Sequence, residues 1–219
     1  MCSSDLTYFK TRRGDPYTMM SVTGTILLMA HRPDVAIGLE NYTPLALFAI
    51  DPQTIMVQAE SPYKTFKDLM AALQKNPDSV VAATTSTAGT GRMVIHLMEK
   101  QIPGTRIKFV NFKGGGEAVT ALLGGQVQAL YFGIGNLTGH LKSGKLMALA
   151  VDGNSRSTLL PDVPSLGELG FKGRALRGWF GFLAPAGTPR AIVGRLNAEI
   201  AKVAGQQAFI EKHLSPLGL

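Results

Sequence analysis

The stretch Val80-Val81-Ala82-Ala83-Thr84-Thr85-Ser86-Thr87-Ala88-Gly89-Thr90-Gly91 decides the fold class. A short β-rich run, Val80 to Thr84, breaks into a small, polar, glycine-bearing loop, and an amphipathic segment from Gly91 to Lys100 follows. That succession opens a βαβ unit. The rhythm continues outward: a strand from Ile107 to Phe112, a loop from Lys113 to Gly116, and a helix from Glu117 to Leu123 stopped by Gly124-Gly125. A strand from Val127 to Phe132, a helix from Asn136 to Lys142 and a strand from Leu146 to Val151 follow. Four strands and three crossover helices form one compact α/β lobe.

Upstream, Thr65 caps a helix with Asp68 three positions on, and Phe66, Leu69, Met70 and Leu73 share one face before Asn76-Pro77 ends it. Downstream, Asp152 to Arg177 is rich in Gly, Pro and Ser, Trp179 to Leu183 reads as a strand, and Pro189 opens a helix running to Ala204. That helix places Ile192, Leu196, Ile200 and Val203 on one face, and a second short helix includes Phe209 and Leu214.

The 219 residues, 45% hydrophobic and 17% charged, suffice for one large domain or two small lobes. A net charge of +7 favours anionic partners. The longest uncharged apolar stretch, Val22 to Ala30, falls short of the ~20 residues a bilayer span needs. The first residues show no basic segment followed by an apolar run, so compartment is not read from this N-terminus. The single cysteine, Cys2, excludes an internal disulfide and any cysteine-based metal cage. Cys2 to Leu6 also matches one reading frame of a common sequencing adapter, so residues 1-6 are read as a possible non-native leader.

Thr84 to Gly91 and Lys113 to Gly116 both lie at the carboxyl end of a strand. There, free N–H groups at the following helix N-terminus favour an anion. The hydroxyls of Thr84, Thr85, Ser86, Thr87 and Thr90 add donors. A P-loop ending is missing near Gly116, and Val94 breaks a dinucleotide fingerprint after Gly89-Thr90-Gly91. His31, His96, His140 and His213 form no metal-ligand spacing, and no Gly-x-Ser-x-Gly elbow activates Ser86. Scattered basic residues argue against nucleic acid. No cofactor and no metal site is expected, and Trp179 is read as core.

Jointly these segments resemble the periplasmic solute-binding proteins of tripartite tricarboxylate transporters, the Bug receptors, over about Thr7 to Leu219. The resembling pieces include Gly14-Asp15-Pro16-Tyr17-Thr18, Tyr42-Thr43-Pro44-Leu45-Ala46, Phe112-Lys113-Gly114-Gly115-Gly116-Glu117-Ala118 and Leu122-Leu123-Gly124-Gly125-Gln126-Val127. Further on stand Leu160-Pro161-Asp162-Val163-Pro164-Ser165, Trp179-Phe180-Gly181-Phe182-Leu183-Ala184-Pro185-Ala186-Gly187-Thr188-Pro189 and Arg195-Leu196-Asn197-Ala198-Glu199-Ile200. The resemblance implies a two-lobed, periplasmic-binding-protein-like (type II) α/β fold and a non-enzymatic receptor. Such a receptor closes on a small carboxylate and delivers it to the membrane subunits of its transporter.

By the same resemblance, the first lobe takes 7-59 and 178-219 and the second 60-177. The ligand-binding residues are Thr23, Gly24 and Thr25 on the first lobe, with Thr85, Ser86, Thr87, Ala88, Gly89, Thr90, Lys113, Gly114, Gly115, Phe132 and Gly133 on the second. In many relatives the strand after Val127 ends in an acidic residue and an asparagine. Here Phe132 and Gly133 stand there, an apolar wall that suits an aromatic or aliphatic acid better than an amino acid. Relatives extend beyond both ends, which implies a complete second lobe, an incomplete first lobe and weak ligand binding. Two other readings remain at this level: an α/β enzyme that holds a phosphorylated substrate through Lys113 and the following glycines, and an effector-binding domain for a small anion.

Overall fold

The computed structural model describes residues 3–29, 38–85, 89–171, 178–217 and 219. Cys2, His31, Ser86, Thr87 and Ala88 lie outside the described residues. The chain divides into two compact units, Met1–Ile50 with Gly178–Leu217, and Asp51–Arg177.

The first unit holds α1 (Ser3–Thr11), β1 (Met20–Thr23), α2 (Thr25–Met29), β2 (Tyr42–Asp51), β8 (Gly178–Pro185) and α7 (Arg190–Ala204). Its sheet has the order β1-β8-β2, with β1 antiparallel to β8. Leu6, Phe9, Val22, Ile26, Tyr42 and Leu183 form its core. Leu6 is buried because the helix period sets it beside Phe9, three residues on, although the sequence reading placed it at the end of a possible leader. Strand alternation carries Phe182 away from Leu183, and its ring stacks on Phe48 at 5.0 Å. α7 forms over the expected residues, and Asn197 Nδ2 donates to Leu45 O at 2.6 Å. The face expected to pack does not bury any residue, and Val203 is exposed.

The second unit holds β3 (Gln53–Gln58), α3 (Phe66–Lys75), β4 (Val81–Thr84), α4 (Thr90–Gln101), β5 (Lys108–Asn111), α5 (Gly115–Leu123), β6 (Ala129–Gly133), α6 (Thr138–Lys142) and β7 (Leu146–Val151). The sheet order is β5-β4-β6-β3-β7. β4 runs parallel to β5 and β6, and β3 is antiparallel to β6 and β7. A fifth strand therefore corrects the four-strand reading. Thr54-Ile55-Met56-Val57 is buried on both faces at the centre of the sheet, so it lacks the alternation that marks a half-exposed strand. The second unit consequently begins at Asp51, and the stretch 51-59, expected in the first lobe, supplies a central strand of the second.

One face of this sheet is covered by Phe66, Leu69, Met70 and Leu73 of α3 and by Val94, Ile95 and Met98 of α4. The other is covered by Ala118, Val119, Ala121 and Leu122 of α5. The start of α3 is fixed by a reciprocal pair of bonds: Asp68 N donates to Thr65 Oγ1 at 3.1 Å, and Thr65 N donates to Asp68 Oδ2 at 2.7 Å. These bonds hold the Asp68 carboxyl below its ordinary range, the Thr65 side chain contributing most. Thr65→Ala should lower stability by about 1 kcal/mol, read from urea denaturation.

Candidate functional site

Because β4, β5 and β6 are parallel, their carboxyl ends share one edge of the sheet. The antiparallel β3 brings its first residue to that edge, where Gln53 pairs with Gly133. β7 ends there too, and Asp152 N donates to Gln53 O at 2.9 Å. From β5 to β7 the edge therefore carries Asn111, Thr84, Gly133, Gln53 and Asp152, with the N-termini of α4 and α5 rising from it. Edges of this kind are where open α/β sheets bind ligands.

The two helix starts differ. α4 follows Gly89, has no side-chain cap and carries no acid in its first turn. Gly89 brings no side chain to cap the first amides, and no acid of the first turn offsets the positive end of the helix dipole. α5 also lacks a side-chain cap, but Glu117 lies in its first turn and its Oε2 accepts Lys113 N at 3.2 Å. A carboxylate is thus already present at the start of α5, whereas the first turn of α4 carries none. α5 also begins two residues earlier than expected, so Gly115 and Gly116 lie inside its first turn.

Gly91 and Gly115 serve ring packing, and neither has positive φ. Strand period sends the consecutive aromatics Tyr131 and Phe132 to opposite faces of β6. Tyr131 meets the first turn of α4, where a Cβ on Gly91 would stand 2.6 Å from Tyr131 Cδ1. Phe132 meets the first turn of α5, where a Cβ on Gly115 would clash with Phe132 Cζ. The half-buried Phe132 ring consequently lies against the start of α5.

Sequence reasoning missed an acidic corner beside β6. Asp152 is 5% exposed, and its Oδ2 accepts the Tyr131 hydroxyl at 3.1 Å while its Oδ1 accepts Gln53 N at 3.2 Å. Burial, then the charge and hydrogen bond of Asp152, pushes the Tyr131 phenol well above its ordinary value. Asp51 Oδ2 accepts Gln53 Nε2 at 2.6 Å. Burial raises the Asp51 carboxyl to about 6, against the lowering effect of the Gln53 bond. Asp51-Pro52-Gln53 between two apolar runs was the available signal, a polar turn bearing an acid. The wall at Phe132 and Gly133 is therefore not wholly apolar.

Of the expected ligand residues, Thr85, Gly89, Thr90, Lys113, Gly114, Gly115, Phe132 and Gly133 come together at this edge of the second unit. Thr23, Gly24 and Thr25 belong to the first unit, where a Cβ on Gly24 would stand 2.9 Å from Trp179 Nε1. Trp179 packs partly against the first unit's core. Among the described residues no group of three or more His, Cys, Asp or Glu side chains is placed to hold a metal ion.

Comparison with known structures gives the class. The chain matches the periplasmic binding protein BugD with a TM-score of 0.87 and 25% identity, over 99% of this chain and 72% of that one. It matches MatC from Rhodopseudomonas palustris, solved with bound malate, with a TM-score of 0.86 and 26% identity, over 99% of this chain and 74% of that one. The fold is the periplasmic-binding-protein-like α/β fold. Residues 8–218 match the tripartite tricarboxylate transporter family receptor, and the chain belongs to that family. A UPF0065 protein from the TAR-I ttuE-ttuC' intergenic region of Agrobacterium vitis is 31% identical over 87% of this chain and 53% of its own length. The chain thus spans about half the length of that curated relative.

Proposed function

We propose that this chain is part of an extracytoplasmic solute-binding receptor, acting in the periplasm, that captures a small carboxylate and passes it to the membrane subunits of a tripartite tricarboxylate transporter. The observation that carries the reading is the start of α4. A helix N-terminus with no side-chain cap at Gly89 and no first-turn acid opens at the carboxyl edge of a sheet, in a chain of this receptor family. The malate bound by MatC supports a carboxylate as cargo. Capture of this kind makes and breaks no covalent bond, so the reading is non-enzymatic. Among the described residues no helix is long and apolar enough to cross a membrane, which leaves membrane passage to partner subunits.

Within the edge, the N–H groups of Thr90, Gly91 and Arg92 receive the carboxylate, with Thr85 and Thr90 offering hydroxyls and Lys113 its charge. A thermal-shift panel of mono-, di- and tricarboxylates tests this. At about ten times its Kd a ligand adds about 1.4 kcal/mol of stability, which is a rise of roughly 3–6 °C at this chain length. At least one carboxylate should produce that rise. A response to phosphorylated compounds and to no carboxylate would replace the receptor by the phosphate-holding enzyme.

A further inference from the structure

The end of β6 carries a carboxylate that does not come from β6. A Cβ on Gly133 would stand 2.5 Å from Asp51 Oδ1, 2.8 Å from Oδ2 and 3.0 Å from Cγ, so the Asp51 carboxyl lies in the space that a side chain at 133 would fill. Gly133 is itself buried at the ligand edge, opposite Gln53. The absence of a side chain at one strand end is thus what admits the acid that lies two residues before the neighbouring strand β3.

That acid is only partly satisfied. Gln53 Nε2 takes Oδ2 at 2.6 Å and also donates to the Asp51 main-chain carbonyl at 3.2 Å, which fixes the carboxyl's position. Asp51 Oδ1 accepts no hydrogen bond from the described residues. An ionised carboxyl has about four acceptor positions, and Asp51 is half-buried, with reduced access to solvent. Such a group carries unused acceptor capacity in a place where unmet capacity is costly. Among the described residues the Asp51 charge acts on Tyr131, whose hydroxyl is committed to Asp152, and no ion pair of Asp51 with a cation is present.

We propose that Asp51 is a specificity-determining residue of the carboxylate site, accepting through Oδ1 a hydrogen bond from a donor on the ligand's carbon chain. This rests on the receptor reading above. The edge is then polar in two senses: the α4 N-terminus takes the ligand's carboxylate, and Asp51 takes a hydroxyl or ammonium further along. An unsubstituted diacid would leave Oδ1 unpaired. The site therefore selects a diacid bearing a donor over the bare diacid of the same length, by about tenfold, the effect of one charge-assisted hydrogen bond.

Calorimetric titration of the full chain with malate, aspartate and succinate tests this, since the three share a four-carbon diacid frame and differ in hydroxyl, ammonium or neither. Wild type should bind malate or aspartate about tenfold more tightly than succinate, and the tighter of the two names the donor. Asp51→Ala removes the acceptor. Gly133→Ala leaves Asp51 in the chain but drives its carboxyl from the notch, and so tests the same geometry if the first variant folds poorly. Both should bring the preference for malate or aspartate over succinate close to one. A preference that persists in the variants, or a wild type that binds succinate as tightly as the other two, overturns the role of Asp51 and leaves the receptor reading standing. Failure to bind any of the three acids, or any other carboxylate, removes both.

Discussion

Gly91→Val should destabilise the second unit by about 3 kcal/mol, seen as a lower urea midpoint with an unchanged slope. Even the first carbon of a side chain at this position would stand 2.6 Å from Tyr131 Cδ1 and 3.3 Å from Tyr131 Cγ. The ring has little freedom to withdraw. Tyr131 is 6% exposed within the α3 and α4 core, and its hydroxyl is bonded to the buried Asp152. Moving it would break that bond and leave a polar group unpaired at about 1–3 kcal/mol. Gly91→Ala should lose less, because alanine recovers up to about 1 kcal/mol of helix propensity. Gly116→Ala is the control. No atom lies within 4 Å of a Cβ there, so the same propensity gain should appear without a clash, as unchanged or slightly raised stability.

The second large effect is a dependence on pH that centres on Asp51. Its carboxyl has an ordinary value of 3.8 and stands at about 6 in the folded chain because burial disfavours its charge. The folded state therefore binds this proton more tightly than the unfolded state does. Stability contributed by the protonated form is fully present below about pH 4, falls as pH rises from about 4 to 6, and is gone above that. With partial exposure taken into account, the loss is about 2 kcal/mol. Asp51→Asn removes the titration. It should be more stable than wild type by about that amount at pH 8, equal to it near pH 4, and without this component of the slope between them. Denaturant midpoints across pH 4 to 8 check this, and parallel curves for variant and wild type would refute it.

Elements with a clear period were legible in the sequence. Phe66, Leu69, Met70 and Leu73 are all buried on α3, and Thr65 and Asp68 cap it as their spacing predicts. β4, β6, β7 and α4 lie where the alternation of apolar runs and glycine breaks puts them. β3 was hidden because Thr54 to Val57 is apolar on both faces and so shows no period. The apolar stripe on α7 is present in the sequence, yet it does not become buried, because periodicity names a face and not its partner.

The site was legible in outline for the same reason. A strand followed by glycines and threonines before a helix marks an anion-favouring turn, and α4 begins at such a turn. What separates α4 from α5 is the placement of one acid, Glu117, which does not read as a site residue of its own. Asp51 was invisible because its importance arises from contact with Gly133, a residue distant in sequence, and from a space that exists only because that residue has no side chain. Gly91 and Gly115 are required by the rings of Tyr131 and Phe132, not by positive backbone φ angles.

The central claim, that the start of α4 receives a carboxylate, is tested most directly by amide chemical shifts of the nitrogen-15-labelled chain during titration with malate. The account predicts that the amides of Thr90, Gly91 and Arg92 move first and furthest and saturate together, with those at the start of α5 moving less. Shifts confined to other parts of the chain, or equal at both helix starts, would contradict it.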